Sequence, residues 1–255
     1  MDRYSRQLLL REIGGEGQER LLRASVLVVG AGGLGSPACL YLAAAGVGHL
    51  FVADGDRVEL SNLQRQILHS CDRLAQPKAE SAAVAIRALN PDIEVVPVNQ
   101  DLDAASAPSL LERVDLVVDG SDNFPTRYLL NALCQQLHKP LVSGAVVGFS
   151  GQVATFRHGL DPSLPCYRCL HPLPPEPGSE PTCVAVGVLG AVTGVVGSYL
   201  ALESVKELLG LGSTLAGHLL LFDGLDGRFL RLRLPKRDDC PQCGGVSVSS
   251  SLPVG

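Results

Sequence analysis

The chain has 255 residues, of which 46% are hydrophobic and 18% charged, with eight cysteines and a formal net charge of −5. That composition excludes a disordered chain and is long enough to bury a core. An acidic balance also argues against non-specific nucleic-acid binding, because no excess of positive charge is available to hold a polyanion.

The N-terminal run Met1-Asp2-Arg3-Tyr4-Ser5-Arg6 lacks the apolar core of a signal peptide, so the expected location is the cytoplasm. There, cysteines are expected to serve metal or thiol chemistry rather than a disulfide framework. Residues 1–24 read as a helical lead-in, with Arg3, Arg6 and Arg11 among apolar positions.

The apolar run Ser25-Val26-Leu27-Val28-Val29 then passes into Gly30-Ala31-Gly32-Gly33-Leu34-Gly35, a helix-like segment, a second apolar run (residues 49–53) and Asp54. Such glycines let the backbone leave a strand tightly and approach a phosphate, and the following helix points its N–H groups at that phosphate. Asp54 is placed to accept hydrogen bonds from ribose hydroxyls. Together these predict a βαβ nucleotide site built on Gly30, Gly32, Gly33, Gly35 and Asp54.

Ser61-Asn62-Leu63-Gln64-Arg65-Gln66 follows, a polar run too poor in apolar residues for a core. Pro77 opens a predicted helix that carries Lys78 in its first turn and ends near Asn90-Pro91. A lysine there is unfavourable for the helix dipole and makes sense if an anion binds nearby. Further strands are predicted over 93–98, 114–118, 140–145 and 151–156, with helices over 106–113 and 126–137. This alternation implies a mostly parallel sheet with flanking helices, and no second domain. The fourth strand ends in Asp119-Gly120-Ser121-Asp122-Asn123, where open α/β sheets bind ligands, so Asp122 is a candidate magnesium or nucleotide contact.

Residues 161–181 read as a long proline-rich loop, unusual unless functional or tethered. The run from 183 to 202 carries no charge and meets the length of a membrane span. However, glycines at 187, 190, 194 and 197 put small residues on one helical face, suited to close packing against a sheet or partner helix. A buried or interface helix is therefore expected, not a membrane span. Residues 218–222 and 228–234 read as an antiparallel hairpin that extends the sheet at its C-terminal end. The small, polar residues 245–255 are expected to form a flexible tail after a single domain over 1–244.

Two C-x-x-C pairs stand out: Cys166-Tyr167-Arg168-Cys169 and Cys240-Pro241-Gln242-Cys243. Each can grip a metal through two thiolates, and together they complete a tetrahedral, closed and hence structural zinc site. Cys39, Cys71 and Cys134 have no partner spacing and read as ordinary thiols. Cys183 follows Thr182 at the expected start of the glycine-faced helix, where a helix N-terminus can lower a thiol's pKa.

These motifs occur in an order that resembles the ThiF/MoeB/HesA adenylyltransferases, relatives of the ubiquitin-activating enzymes, and most closely the ThiF-like members. The residues carrying the resemblance are Tyr4-Ser5-Arg6-Gln7, the glycine loop, Asp54, Ser61 to Gln66, Lys78, Ser121-Asp122-Asn123, the two C-x-x-C pairs and Thr182-Cys183. It covers roughly residues 3–245 and implies a Rossmann-like fold. It also implies ATP-dependent activation of the C-terminal glycine of a ubiquitin-like sulfur carrier protein ending in Gly-Gly. Carried over by position, Gly33 and Asp54 bind nucleotide, Asn62, Arg65 and Lys78 face the phosphates, and Asp122 holds magnesium, with Asn123 beside it. Arg6 reaches into the neighbouring subunit, implying a homodimer, and Cys183 takes part in sulfur transfer. Val146-Val147-Gly148-Phe149-Ser150-Gly151-Gln152 and Leu221-Phe222-Asp223-Gly224 look closer to the ThiF partner of a thiazole-forming carrier than to MoeB-like members serving molybdopterin synthesis. No rhodanese domain follows, so the sulfur donor is expected to be a separate cysteine desulfurase or rhodanese. Two rivals are a nicotinamide-dependent oxidoreductase and a catalytically silent scaffold. The first leaves Arg65, Lys78 and the C-x-x-C pairs without a role, and the second has no need of phosphate chemistry.

Overall fold

The computed structural model describes residues 2–174 and 186–244. Two short helices, Asp2–Tyr4 (3-10) and α1 (Ser5–Leu8), lead into α2 (Gly14–Arg23). The sheet has eight strands in the order β3-β2-β1-β4-β5-β6-β7-β8. β1 (Ser25–Val29), β2 (His49–Ala53), β3 (Glu94–Val98), β4 (Leu116–Asp119) and β5 (Leu141–Val147) are mutually parallel. β6 (Ser150–Phe156), β7 (His218–Asp223) and β8 (Arg228–Arg233) continue it in antiparallel fashion.

The parallel half obeys the pattern expected for strands covered on both faces: Val26, Leu27, Val28, Leu50, Val52, Val117 and Val118 are all fully buried. Helices α3 (Gly35–Ala45), α4 (Lys78–Leu89), α5 (Ala107–Leu111) and α6 (Phe124–Gln136) are the crossovers between those strands. The chain runs outward from β1 to β3 and then returns to place β4 on the other side of β1. The reversal opens a crevice at the carboxyl ends of β1 and β4, the usual ligand position in an open α/β sheet.

One expectation requires correction, and the structure adds detail to two others. The glycine-faced helix does not begin near residue 183. It is α8, Gly190–Leu209, preceded by Leu189 in an extended conformation (φ −81°, ψ 128°) and by Gly187 at φ +81°. An uncharged run shows that a segment is buried, not where its helix starts. The crossing loop contains a one-turn helix, α7 (Tyr167–Leu170), which carries the first C-x-x-C pair. β5 and β6 form a tight hairpin, with Gly148 at φ +59° in its turn, so the sheet changes sense there. Residues 245–255 lie outside the described residues.

The small face of α8 packs as expected. A Cβ on Gly197 would stand 2.4 Å from Leu34 O, and one on Gly190 would meet the Gln64 carbonyl. Gly194 faces open space and takes no part. Among the described residues no helix is long and apolar enough to cross a membrane.

Candidate active site

Three loops converge at the crevice. The first is the glycine turn after β1. Gly30 has φ +88°, and a Cβ there would lie 2.9 Å from Gly120 O, in the loop after β4. Gly35 is tighter still, since a Cβ would fall on the Gly30 carbonyl oxygen. Gly32 differs, because a Cβ would meet only Gln66 Nε2, at 3.7 Å, an ordinary contact. Two glycines thus fold the turn, and the third leaves its face open for a ligand. The α3 N-cap residue, Leu34, offers no side-chain acceptor, but Ser36 N already donates to Gly32 O at 2.9 Å and Pro37 has no N–H, so Gly35 N is the first-turn donor left for an anion.

The second loop follows β2. Asp54 Oδ2 accepts from Ala31 N at 2.7 Å and Oδ1 accepts from Asp56 N at 2.9 Å. Burial raises the Asp54 carboxyl above its ordinary range, against the opposing pull of Lys78 and of the two backbone N–H groups. The expected ribose acid therefore also ties the glycine turn to the end of β2.

The third loop follows β4. Asp119 is fully buried and accepts from Ser121 N (3.0 Å), Ser121 Oγ (2.6 Å) and Ser143 Oγ (2.7 Å). Arg127 is buried in α6 and donates to Ser121 O at 2.6 Å and Gly144 O at 3.2 Å. With its backbone fixed on both sides, Asp122 projects as an exposed carboxylate and has no hydrogen-bond partner among the described residues. One exposed carboxylate is the kind of protein donor magnesium uses beside a bound phosphate, since this ion keeps most of its waters and takes the rest of its ligands from phosphate. The residues fit that ion. Asn123 has a local task, as its Oδ1 caps α6 by accepting from Thr126 N at 2.9 Å.

Lys78 is the first residue of α4 and is 5% exposed. Its Nζ lies 2.7 Å from Asp56 Oδ2, so the anion that its position calls for is present in the chain itself. Asp56 is 71% exposed, a partner that water can readily replace. Arg65 donates to Ser61 O at 3.2 Å, and its own carbonyl accepts from Thr193 Oγ1 at 3.5 Å. Thr193 stands against Gly33, which places the Arg65 loop beside the glycine turn. The polar run 61–66 is less exposed than its composition implies. Asn62 and Gln66 are buried and bonded to each other at 2.7 Å, because the 3-10 turn Leu60–Asn62 folds them under the glycine turn. Arg6 is exposed in α1, with no ion pair among the described residues. Cys183 lies outside the described residues.

Away from the crevice, the Sγ atoms of Cys166, Cys169, Cys240 and Cys243 all lie within 4.8 Å of one another, and all four residues are buried. Cys166 and Cys240 are 3.7 Å apart, and Cys169 and Cys243 are 3.4 Å apart. Zn–S bonds of about 2.3 Å in a tetrahedron need sulfurs roughly 3.8 Å apart, so the donor set fits zinc. Burial pushes the Cys166 thiol up to about 11, and a divalent cation would offset that cost. By contrast, burial raises Cys39 to about 12, which makes it inert.

A family model, described as the ThiF family, matches residues 4–242. The chain belongs to the ThiF family. It is 52% identical to the sulfur carrier protein adenylyltransferase of Thermus thermophilus, over 99% of this chain and 94% of that protein. It is 51% identical to the SAMP-activating enzyme E1 of Haloferax volcanii, over 98% and 91% of the two chains. Identity is also 51% to the adenylyltransferase and sulfurtransferase MOCS3 of Culex quinquefasciatus. There this ThiF family chain spans 94% of its own length but only 55% of the relative. The fold is shared with a crystal structure of E. coli MccB with AMPCPP and MccA, at a TM-score of 0.81 and 21% identity, covering 95% of this chain and 74% of that one.

Sequence reasoning missed Asp56, His69, Asp119 and Arg127. Arg127 alone left a signal, since it occupies the same helical face as the buried Leu130, Asn131 and Cys134. An arginine in that phase of a helix demands buried partners.

Proposed function

We infer that this chain adenylylates the C-terminal glycine of a ubiquitin-like sulfur carrier protein, giving a carrier acyl-adenylate and pyrophosphate ahead of sulfur transfer. The favoured carrier is of the ThiS type used in thiazole synthesis, followed by the MoaD type used in molybdopterin synthesis. The observation that carries the reading is the placement of Lys78. A nearly buried ammonium sits at a helix start, next to the glycine turn and Asp54, with the solvent-exposed Asp56 carboxylate as its ion-pair partner. The relatives named above, aligned along nearly the whole chain, support the same reaction class.

The chemistry asks little of the protein in proton transfer. A C-terminal carboxylate has a pKa of ~3.5 and is ionised near neutrality, so no general base is needed. Its oxygen attacks the α-phosphorus of ATP, a new P–O bond forms, and the bond to the bridging oxygen breaks so that pyrophosphate leaves with the electron pair. The barrier is the approach of one anion to another, which cations in the site lower. Arg65 and Lys78 would hold the phosphates, the first with a fixed fork and the second with a mobile charge. Asp54 would hold the ribose, while Gly32 and Gly33 with the α3 N-terminus receive the phosphate backbone. Magnesium held by Asp122 would supply further charge neutralisation. Arg6, exposed and without an ion pair among the described residues, suits a reach into a second subunit's site, which makes the working unit a homodimer. Sulfur would come from a separate cysteine desulfurase or rhodanese, with Cys183 the candidate acceptor of the activated carrier, all in the cytoplasm. The zinc clip has a structural role in this scheme.

The test is ATP–pyrophosphate exchange with magnesium and a carrier ending in Gly-Gly, with Lys78→Ala alongside. Carrier-dependent exchange that the variant abolishes supports the reading. Protection by NADH in place of ATP would favour an oxidoreductase, and ATP binding without exchange on any carrier would favour a silent scaffold.

A further inference from the structure

One buried side chain joins two parts of the site and has no role in the scheme above. His69 is 6% exposed. Its Nε2 lies 2.9 Å from Ala31 O, in the glycine turn, and its Nδ1 lies 2.9 Å from Ser81 Oγ, in the first turns of α4. A carbonyl oxygen only accepts, so Nε2 carries the proton and donates to Ala31. In the neutral ring Nδ1 then accepts from the Ser81 hydroxyl. Burial favours that neutral form, and Lys78 and Arg73 nearby favour it too, against the Ala31 bond.

Ala31 is held from the other side as well, since its N–H donates to Asp54 at 2.7 Å. Both polar groups of this one residue are therefore fixed, the N–H by Asp54 and the C=O by His69. Ser81 is fixed in turn, because its carbonyl accepts from Arg73 at 2.9 Å and its N–H donates to Pro77 O at 3.0 Å. Resting on the functional reading above, we propose that His69 is a positioning residue for nucleotide activation. It sets the glycine turn at Ala31 and, through Ser81, keys that turn to the helix start that carries Lys78. A turn rich in glycine has many backbone states, and fixing one of its residues before ATP arrives removes an ordering cost from binding. An apolar side chain of the same size would fill the space but leave Ala31 O and Ser81 Oγ buried and unpaired.

The test is the dissociation constant of magnesium-ATP for wild type, His69→Ala, His69→Gln and Ser81→Ala, with pyrophosphate exchange and thermal melting on the same samples. His69→Ala should weaken ATP about tenfold, the effect of one buried hydrogen bond, with KM for ATP rising more than kcat falls and KM for the carrier unchanged. His69→Gln, whose amide N–H can still donate to Ala31 O, should recover most of that loss, and Ser81→Ala should cost roughly threefold. If His69→Ala fails to fold, the glutamine and Ser81 variants carry the test. Wild-type ATP affinity in the variants, or affinity losses in His69→Ala and His69→Gln that simply follow their melting temperatures, would overturn the proposal and leave the functional reading standing. Absence of ATP binding by the wild type would overturn both.

Discussion

Lys78 and Asp56 form an ion pair in which the ammonium is nearly buried and the carboxylate is mostly in water, with 2.7 Å between them. Water solvates the carboxylate alone at little cost, so Asp56 can be exchanged for another anion, while the nearly buried ammonium still needs one. On the functional reading above, a phosphate arriving at the glycine turn would compete with Asp56 for the same cation. Lys78→Ala should lower pyrophosphate exchange by at least ~100-fold, because a charge that stabilises the transition state is lost in a water-poor site. Asp56→Asn should act in the opposite direction on binding and tighten ATP by roughly threefold, since the competitor is gone and the lysine remains. Isothermal titration of both variants checks the pair of signs.

Gly32 and Gly35 should separate binding from folding. Gly35→Ala forces a Cβ onto the Gly30 carbonyl, so the turn cannot close and the variant should be insoluble or melt far below wild type. Gly32→Ala meets only ordinary contact at 3.7 Å and should melt within about 2 °C of wild type. Its methyl group nevertheless occupies the face left open for phosphate, and ATP affinity should fall at least ~10-fold.

Asp54 gives a pH dependence whose sign follows from its raised carboxyl pKa. A group raised on folding contributes stability that is present below its ordinary value of 3.8 and is lost as pH rises through the raised value. At neutral pH the ionised carboxylate is thus held at some cost to the fold. Asp54→Asn keeps a carbonyl acceptor for Ala31 N but turns its NH2 toward Asp56 N. Relief of the buried charge is then offset by one lost hydrogen bond, so the melting temperature at pH 7 should stay within about 3 °C of wild type, while ATP affinity falls about tenfold with the ribose contact. The wild type should lose ATP affinity in acid earlier than an ordinary carboxylate would dictate, and Asn should flatten that limb. A fall of more than ~8 °C in melting temperature for Asp54→Asn at pH 7 would contradict the assignment.

Loss of the metal clip should cost stability far more than chemistry. Cys240→Ser removes one thiolate from a closed set of four, and protein-bound zinc should drop from one equivalent to near zero by atomic emission. Destabilisation on the order of 4 kcal/mol is expected, or a fall of ~10 °C in melting temperature.

The βαβ unit was legible because its cause is local: Gly30 takes φ +88° and a Cβ on Gly35 would fall on the Gly30 carbonyl, between two runs that make buried strands. The zinc set was legible from spacing alone, since each C-x-x-C pair is a local grip and folding had only to bring two together. His69 and Asp119 were not legible. Each is a polar residue whose meaning lies in partners far along the chain, Ala31 for the histidine and Ser143 for the aspartate. The start of α8 was misread for a related reason. Hydropathy is continuous across Gly187, and the backbone turn there is decided by Gly148, whose N–H donates to Gly187 O at 3.0 Å.

Tyr167 directly follows zinc ligand Cys166, and its hydroxyl accepts from Arg127, the same guanidinium that holds Ser121 O beneath Asp122. Its backbone N–H donates to Asn131 of α6 at 2.8 Å. The four-cysteine cluster and the loop that carries Asp122 are therefore parts of one connected assembly. A chelator added to this protein should run on two clocks. Magnesium held by oxygen, as proposed at Asp122, would leave at once and return on demand, whereas zinc held by the four thiolates would leave slowly and take the footing of the β4 loop with it. Inhibition that magnesium reverses within seconds reports on the reaction, and inhibition that deepens over hours and resists magnesium reports on the scaffold.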